Sequence, residues 1–443
     1  MKKSTDLHSK AQSVTPGKRL LILASKLGYQ TRGFAGAARS LGVDVVFATD
    51  RCHQLEDPWR DGAIAAHFEQ PDVAARRILA NLNGRHIDGV LALGDRPTTA
   101  AAYVARELGL RGNSPEAVAN CRSKLLQREA LQSTALLIPE FFAFGLGEDV
   151  DQMARRASYP CVVKPLSLAA SQGVIRANNA GEFVAAVQRI AALLTQPEVQ
   201  VLREPTLGTI LVETYIPGDE VAVECLLDRG QLRVLAIFDK PDPMEGPYFE
   251  ETIYVTPSRE PAEMQRQIVA CAEQTARALG LTHGPAHLEF RINDKGIWVL
   301  EASPRPIGGL CSRALRFGPE RILLEDLLVR HALGLDGAQL EREPAASGVM
   351  MIPVPRSGVL ERVAGVEDAL RTPGVEEVHI TARVHDPIAA WPEGSSYLGF
   401  IFARAVQPEK AEAALRAAHA KLRIDISPEL PVANPATGKL PAS

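Results

Sequence analysis

The chain of 443 residues contains no run of about 20 apolar residues, the length that a membrane-spanning helix requires. Residues 1–18 are polar, and the first apolar run, Leu20–Ala24, is too short for the core of a secretion signal. These absences predict a soluble, cytoplasmic protein without a membrane partner. They also predict a disordered N-terminal tail at residues 1–17.

Closely spaced cysteines are also missing, so neither a zinc knuckle nor a redox pair is predicted. We expect the thiols to be reduced and mostly buried. The six cysteines are Cys52, Cys121, Cys161, Cys225, Cys271 and Cys311. His283 and His287 lie four residues apart, but Pro285 prevents the helix that would bring both to one zinc ion.

A large excess of positive charge is absent as well. The 49 Lys and Arg residues face 53 Asp and Glu residues, which gives a formal charge of −4. Nucleic-acid binding driven by counterion release requires many cationic contacts. The balance therefore predicts no nucleic-acid partner, although it allows a nucleotide, which needs only a few local cations.

Helix and strand signals alternate over the first 110 residues or so, which is typical of a parallel sheet with helices on its faces. A Rossmann-like N-terminal domain is predicted. The glycines of Lys26–Gly33 do not form GxGxxG, so no dinucleotide site is predicted in that loop. The predicted strands are Leu20–Ala24, Val43–Ala48 and Gly89–Leu93, and the predicted helices are Phe34–Leu41 and Thr98–Leu108.

From Tyr159 onwards the pattern changes, because Glu220–Leu227 pairs naturally with Gln231–Asp239 across the turn at Asp228–Gly230. This predicts a meander rather than a series of βαβ units. A new series of strand and helix signals begins after Pro344 and predicts a C-terminal α+β lobe. The segment from Pro431 is rich in Pro and Ala and is predicted to be loosely structured. The fold class is therefore mixed α/β and α+β. The predicted strands are Pro160–Pro165, Ile210–Ile216, Glu220–Leu227, Gln231–Asp239, Gly348–Val354 and Val375–Thr381. The predicted helices are Ala180–Leu194, Arg259–Gly280, Pro319–Leu333, Val366–Leu370 and Pro408–Leu422.

Two short strands, His287–Arg291 and Trp298–Pro306, carry the most informative residues. Alternate side chains of a strand share one face. Pairing across the intervening turn would therefore bring Glu289 and Glu301 together, with Arg305 beside them if the second strand continues to its end.

Carboxylate oxygens are what Mg²⁺ takes from proteins, with phosphate oxygens completing its shell. An adjacent arginine is suited to clamping a phosphate. The two strands predict a metal–nucleotide site. The alternative is a pair of edge-strand acids, Glu289 and Glu301, balanced by Arg291 and Arg305.

Lys164 ends an apolar strand before a proline, a position that favours contact with an anion, although an edge-strand gatekeeper is the alternative. The small residues of the Ser167–Val174 loop allow backbone N–H groups to close on phosphates, although an ordinary loop has the same composition. Taken alone, Lys124 in the Asn120–Arg128 helix is a surface lysine. Glu213 and Glu220 are, taken alone, solvated strand ends.

In their order and spacing, these motifs resemble the ATP-grasp superfamily. The series is Lys124, Lys164, the small-residue loop, Glu213-x-x-x-Pro-Gly-x-Glu220, Glu289, and Glu301-x-Ser-x-Arg305. The resemblance covers roughly residues 18–340. Further segments are similar to L-amino acid ligases: Gly246–Thr252, Val349–Pro355 and Ser396–Phe402.

The resemblance implies a Rossmann-like N-terminal domain followed by an ATP-grasp fold with a C-terminal α+β lobe. The implied division is a tail at 1–17, a biotin-carboxylase-like N-terminal domain at 18–113, linker helices and a small ATP-grasp lobe at 114–208, a large ATP-grasp lobe at 209–343, and a C-terminal L-amino acid ligase-type lobe at 344–443.

The implied cofactors are ATP and two Mg²⁺ ions, with Mn²⁺ as the alternative metal. The phosphates would be held by the lysines and the loop, adenine by Glu213 and the backbone at Tyr215 and Ile216, and ribose by Glu220. The implied nucleotide-binding residues are Lys124, Lys164, Ser171, Gly173, Glu213, Tyr215, Ile216 and Glu220. The implied metal ligands are Glu289, Glu301 and Ser303. The implied catalytic residue is Arg305, and the implied substrate residues are Lys240, Glu251, His287, Gly308 and Gly309.

The implied reaction is ATP-dependent joining of a small-molecule carboxylate and an amine, both expected to be amino acids, through an acyl-phosphate. The expected products are a dipeptide or similar amide, ADP and phosphate, and a homodimer is expected. One alternative is a biotin-type carboxylase acting through carboxyphosphate. Another is a non-catalytic nucleotide-binding protein, which Ser303 favours because this family usually has Asn at that position.

Overall fold

The structure of the protein is a computed structural model that describes residues 17–25, 28–50 and 63–428. Most of the predicted tail at residues 1–17, the segment from Pro431 and Cys52 lie outside the described residues. The five cysteines within the described residues are all buried free thiols, as predicted.

The N-terminal domain is a parallel four-stranded sheet with helices against it, and its strand order is β3-β2-β1-β4. The apolar run of β1 is fully buried, as expected for a strand covered on both faces. The Rossmann-like prediction is confirmed. The elements are β1 (Arg19–Ala24), α1 (Tyr29–Ser40), β2 (Asp44–Thr49), β3 (Ala63–Ala65), α2 (Pro71–Ala80), β4 (Gly89–Leu93) and α3 (Thr98–Glu107).

Two short helices, α4 (Pro115–Arg122) and α5 (Lys124–Leu131), follow this domain. The single helix predicted at Asn120–Arg128 is wrong, because Ser123 has an extended backbone and breaks it. The Ser123 hydroxyl accepts a hydrogen bond from the Leu126 N–H and so caps α5. Lys124 is therefore the first residue of a helix, at the point where the chain turns towards the large sheet.

The small lobe is an antiparallel four-stranded sheet with strand order β5-β8-β6-β7, packed against α7. The last of these strands along the chain, β8, falls within residues 209–343, which were predicted to form the large lobe. It is nevertheless hydrogen-bonded to β5 and β6 in the sheet of the small lobe. The elements are β5 (Phe141–Gly145), α6 (Val150–Arg156), β6 (Cys161–Pro165), β7 (Ile175–Ala177), α7 (Ala180–Leu194), α8 (Pro197–Gln200) and β8 (Thr209–Thr214).

The large lobe contributes five strands to an eight-stranded sheet of order β13-β12-β9-β10-β11-β16-β20-β18. The helix predicted at Pro319–Leu333 starts later, at Leu324, because Arg316–Phe317 and Ile322–Leu323 pair as a hairpin. The elements are β9 (Asp219–Asp228), β10 (Gln231–Lys240), β11 (Ile253–Thr256), α9 (Ala262–Ala278), β12 (Gly284–Asn293), β13 (Gly296–Ser303), a 3₁₀ helix (Cys311–Ala314), β14 (Arg316–Phe317), β15 (Ile322–Leu323) and α10 (Leu324–Ala332).

The C-terminal lobe extends the same sheet, because β16 pairs with β11. A second, three-stranded sheet of order β19-β17-β21 lies beside it, and α12 packs on β16 and β20. The elements are β16 (Ala346–Ile352), β17 (Gly358–Ala364), α11 (Val366–Leu370), β18 (Val375–Ile380), β19 (Pro387–Ile388), β20 (Gly399–Ala405), α12 (Pro408–His419) and β21 (Arg423–Ser427). None of the helices in the described ranges has the length and apolar character needed to cross a membrane.

Gly218 turns the chain into β9 with a φ of 125°, and a Cβ there would lie 2.1 Å from the Ile292 carbonyl oxygen. At Gly230, with a φ of 82°, such a Cβ would have no atom of the described residues within 4 Å. We expect Gly218→Ala to lower the free energy of unfolding more than Gly230→Ala, which suffers only the backbone cost of roughly 1–2 kcal/mol. Denaturant titration of both variants checks this, and equal losses would contradict it.

Candidate functional site

A cleft lies between the small and large lobes and encloses about 770 Å³ of space, part of it open to solvent. Small-molecule sites typically enclose roughly 300–1,000 Å³. Ten of the sequence-predicted residues line this cleft: Lys124, Lys164, Ser171, Glu213, Tyr215, Ile216, Glu220, Glu251, Glu289 and Glu301.

The pairing of β12 with β13 places the two predicted metal-binding carboxylates side by side. Glu289 lies directly opposite Glu301, and His287 opposite Ser303. The expectation that the second strand continues to Arg305 is wrong, because β13 ends at Ser303. Arg305 reaches the site from the segment that follows the strand.

Each carboxylate of this pair faces a lysine. Lys124 Nζ lies 3.3 Å from Glu301 Oε2, and Lys240 Nζ lies 3.5 Å from Glu289 Oε2. The Ser303 hydroxyl donates to Glu301 Oε1 at 3.4 Å. Burial favours the neutral form of Glu289, but Lys240 and His287 outweigh it and hold its pKa well below the usual range.

The carboxylates of Glu289 and Glu301 line the cleft, and the buried hydroxyl of Ser303 contacts Glu301, so three hard oxygen donors lie close together. This donor set fits a divalent cation such as Mg²⁺, which takes carboxylate oxygens from protein and shares further positions with phosphates and water. The neutral hydroxyl of Ser303 is the weakest of the three donors.

Lys164 and Arg128 both bind the carboxylate of Glu213. Lys164 Nζ lies 2.6 Å from Glu213 Oε2, and Arg128 Nε donates to Glu213 Oε1 at 2.7 Å. Burial would raise the pKa of Glu213, but the two cations lower it to about 2. Arg128, whose Nη2 also donates to the Leu300 carbonyl, ties α5 to both lobes.

Glu220 lies between two cations because β9 is flanked by β10 and β12, which place Lys240 and Arg291 directly opposite it. Lys240 Nζ donates to Glu220 Oε1 at 2.7 Å and to Glu251 Oε1 at 2.5 Å. Arg291 Nε donates to Glu220 Oε2 at 2.9 Å, and its Nη1 donates to the Ile216 carbonyl at 2.6 Å.

His287 lies between two carboxylates. Its Nδ1 is 3.1 Å from Glu224 Oε2, and its Nε2 is 3.3 Å from Glu289 Oε1. Burial would lower the pKa of His287, but the two carboxylates raise it to about 9. Glu224 is fully buried and also accepts from the Ile307 N–H, so it fixes the loop that follows Arg305.

The two predicted substrate glycines have different surroundings. A Cβ at Gly308 would have no atom within 4 Å. At Gly309, with a φ of 62°, it would lie 3.0 Å from the ring of Phe400 in the C-terminal lobe. Gly309 is therefore required by packing, whereas Gly308 leaves room beside the loop.

Arg305 is held by a residue of the N-terminal domain. Its Nε donates to Asp95 Oδ1 at 2.8 Å, and its Nη2 donates to Asp95 Oδ2 at 3.2 Å. Burial would raise the pKa of Asp95, but Arg305 outweighs it and lowers that pKa. The Arg305 guanidinium is thus fixed in orientation by a two-point contact.

The Ser167–Val174 loop is bound by the C-terminal lobe at three points. The Gly173 N–H donates to the Pro392 carbonyl at 2.8 Å, and Gln172 Nε2 donates to the Glu393 carbonyl at 2.6 Å. Trp391 Nε1 donates to the Ala170 carbonyl at 3.2 Å. The segment Trp391–Glu393 therefore holds the small lobe's loop against the rest of the molecule.

Three parts of the chain match known families. Residues 35–112 match the ATP-grasp N-terminal domain, residues 157–314 the ATP-grasp domain, and residues 350–427 the L-amino acid ligase C-terminal domain 2. The chain belongs to the ATP-grasp superfamily.

The crystal structure of an L-amino acid ligase from Bacillus licheniformis is similar over 93% of this ATP-grasp chain and 100% of that protein, with a TM-score of 0.78 and 28% identity. Carnosine synthase 1 of Gallus gallus is 30% identical over 397 residues, which are 82% of this chain and 41% of that protein. The ATP-grasp enzyme fsqD of Aspergillus fumigatus is 26% identical over 347 residues, 67% of this chain and 57% of that protein. The chain thus spans about half the length of these last two relatives.

Several residues that hold the site's side chains or its loop in place were not predicted from the sequence. Asp95 had a signal, since it follows the carboxyl end of β4, where parallel sheets bind ligands. Arg128, Glu224 and the segment Trp391–Glu393 had none, because their partners are distant in sequence.

We expect Trp391→Phe to weaken ATP binding by roughly two- to tenfold, the value of one neutral hydrogen bond. The reason is that the loop loses its contact at Ala170 and is held less firmly over the ATP-grasp cleft. Trp298→Phe is the matched control, since that indole donates to Asn293 outside the cleft. Calorimetric ATP titration checks this, and equal affinities of the two variants would contradict it.

Proposed function

We propose that the protein is an ATP-dependent carboxylate–amine ligase that joins two amino acids, or similar small molecules, into an amide. The observation that carries this proposal is one cleft in which the carboxylates of Glu289 and Glu301 face the cations of Lys124, Lys240 and Arg305. The match to an L-amino acid ligase C-terminal domain supports amide formation as the reaction.

In this proposal, Lys124 and Lys164 bind the phosphates of ATP, under the loop that contains Ser171 and Gly173. The adenine ring lies against the backbone at Tyr215 and Ile216. At that point the Tyr215 N–H already donates to Pro160 and the Ile216 carbonyl already accepts from Arg291, so the adenine edge would meet the Tyr215 carbonyl and the Ile216 N–H.

Glu220 would accept hydrogen bonds from the ribose hydroxyls. Glu289 and Glu301 would hold divalent ions, with Ser303 as a weaker third ligand. When bound, Mg²⁺ neutralises charge on the phosphoryl group that is transferred. We assign the amino-acid substrates to the neighbourhood of Lys240, Glu251, His287 and the Gly308 loop, of which Glu251 lines the cleft.

The reaction has two steps. A carboxylate oxygen of the first substrate attacks the γ-phosphorus, the bond to the β-phosphate oxygen breaks, and ADP leaves. The amine of the second substrate then attacks the carbonyl carbon of the acyl-phosphate, loses a proton and expels phosphate. Arg305 stabilises negative charge in both steps, and the closed loop keeps water from hydrolysing the acyl-phosphate.

A non-catalytic nucleotide-binding role is the second candidate, because Ser303 is a weaker ligand than the expected Asn. It predicts ATP binding without ADP formation across a broad panel of amino acids. The carboxylase alternative predicts bicarbonate-dependent ADP release without any amine. A homodimer and the absence of a nucleic-acid partner remain predictions.

A phosphate-release screen of amino-acid pairs with ATP and Mg²⁺, followed by mass spectrometry, tests this function. We expect at least one pair to release phosphate together with an amide whose mass equals both substrates minus water. Glu301→Ala should abolish ADP production because the metal site loses a carboxylate. Glu263→Ala, an exposed glutamate on α9, is the control and should turn over normally. Normal turnover of Glu301→Ala would show that the metal assignment is wrong.

Asp95→Asn should lower kcat with a smaller effect on the KM for ATP, since Arg305 acts on the transferring group. The loss of a charged hydrogen bond, about 1.5–3 kcal/mol, corresponds to roughly 10- to 150-fold. Asp72→Asn, at an exposed i,i+4 pair on α2, is the control. Steady-state kinetics on the pair identified by the screen checks this, and unchanged kcat in Asp95→Asn would contradict it.

A further inference from the structure

Three side chains meet at the end of the large sheet that lies away from the cleft. Asp228 is the last residue of β9, His283 immediately precedes β12, and His331 lies on α10. One ligand atom from each lies within 4.8 Å of the other two. Because Glu220 is at the opposite end of β9, this cluster is separated from the ATP-grasp cleft by the length of that strand.

Within the described residues, three buried atoms of the cluster lack a hydrogen bond of good geometry: Asp228 Oδ1, His283 Nδ1 and His331 Nε2. Asp228 Oδ1 nevertheless has charged or polar neighbours, since it lies 3.4 Å from His283 Nδ1 and 3.9 Å from Arg111 Nη1. His331 itself is only 9% exposed. A buried polar atom without a hydrogen bond is destabilising, so three such atoms close together indicate a shared ligand.

The chain around the cluster is already ordered. Asn113 Oδ1 accepts from the backbone N–H groups of Thr282 and His283 at 2.7 and 2.9 Å, and Asn113 Nδ2 donates to the His283 carbonyl at 2.8 Å. The rings of His283 and His331 stack with centroids 4.4 Å apart. The backbone beside the cluster is therefore held in place by contacts of its own, and the stacked imidazoles would have to turn so that both ring nitrogens point at one ion.

We propose that Asp228, His283 and His331 bind one divalent transition-metal ion of the zinc class, with water completing the coordination. Two imidazole nitrogens and one carboxylate oxygen suit zinc, whereas Mg²⁺ takes oxygen ligands alone. The ion would join the end of the β9–β10 hairpin, the start of β12 and α10, and so would stabilise the large lobe. This proposal does not depend on the ligase reaction.

Two arginines lie close enough to the site to add positive charge there. Arg111 Nη1 lies 3.9 Å from Asp228 Oδ1, but its side chain is 59% exposed and free to turn towards solvent. Arg233 adds positive charge near His331, yet its guanidinium donates to the Leu340 and Ala338 carbonyls. Arg111→Ala should therefore tighten metal binding, because it removes a competing cation.

The test is a Co²⁺ titration of tag-free, chelator-treated protein in excess Mg²⁺, which fills carboxylate sites. We expect uptake of a single equivalent, with visible bands of nitrogen and oxygen ligation, no thiolate charge-transfer band, and displacement by Zn²⁺. His331→Ala, His283→Ala and Asp228→Asn should each weaken binding by more than about 100-fold, since even loss of an outer hydrogen-bond partner costs roughly 10–100-fold. His86→Ala, an exposed histidine, is the control and should bind like the wild type.

Added Zn²⁺ should also raise the melting temperature of the wild type, His86→Ala and Arg111→Ala, but not that of His331→Ala. Wild-type Co²⁺ binding no tighter than that of His331→Ala would overturn the proposal. If the ligand variants fail to fold, the wild type and Arg111→Ala still test the proposal. It would be overturned if the wild type took up no Co²⁺. It would also be overturned if Arg111→Ala bound Co²⁺ with unchanged or weaker affinity.

Discussion

The register between β12 and β13 is the constraint on which the cleft depends. Glu289 and Glu301 face each other only in this register, and a slip of one residue would turn every side chain of a strand to the opposite face. On the other face of β12 and β13, Leu288, Phe290 and Ala302 are fully buried in the core, which fixes the orientation of both strands. Burial of apolar residues on one face thus places the charged residues on the other.

The same sheet explains how so many charges are buried together. Across β10, β9 and β12, cations lie opposite carboxylates, so that Glu220 is flanked by Lys240 and Arg291, and Glu224 by His287. A buried charge without a partner is strongly destabilising. In the proposed reaction, metal ions and phosphates replace some of these internal partners, which lets the nucleotide enter without leaving charges uncompensated.

Local patterns were enough to predict about half of the strands and most helices of the described residues, because alternation and apolar runs report on burial of each element. Strands such as β5 and β11 were missed. They also predicted the Glu289–Glu301 pair, since a short turn limits how two adjacent strands combine. The break at Ser123 was missed because its cap depends on a backbone conformation that periodicity does not reveal. Tertiary packing alone creates the contact between Asp95 and Arg305, which are 210 residues apart in sequence. The same is true of the hydrogen bond from Trp391 to the loop.

The proposed reaction requires an acyl-phosphate, and isotope transfer shows whether one forms. The carboxylate substrate found by screening would be labelled with heavy oxygen in both positions, and the products analysed by mass spectrometry after a single turnover. If an acyl-phosphate forms, one labelled oxygen appears in the released phosphate and the other stays in the amide carbonyl. Phosphate without label, or label in AMP, would contradict it.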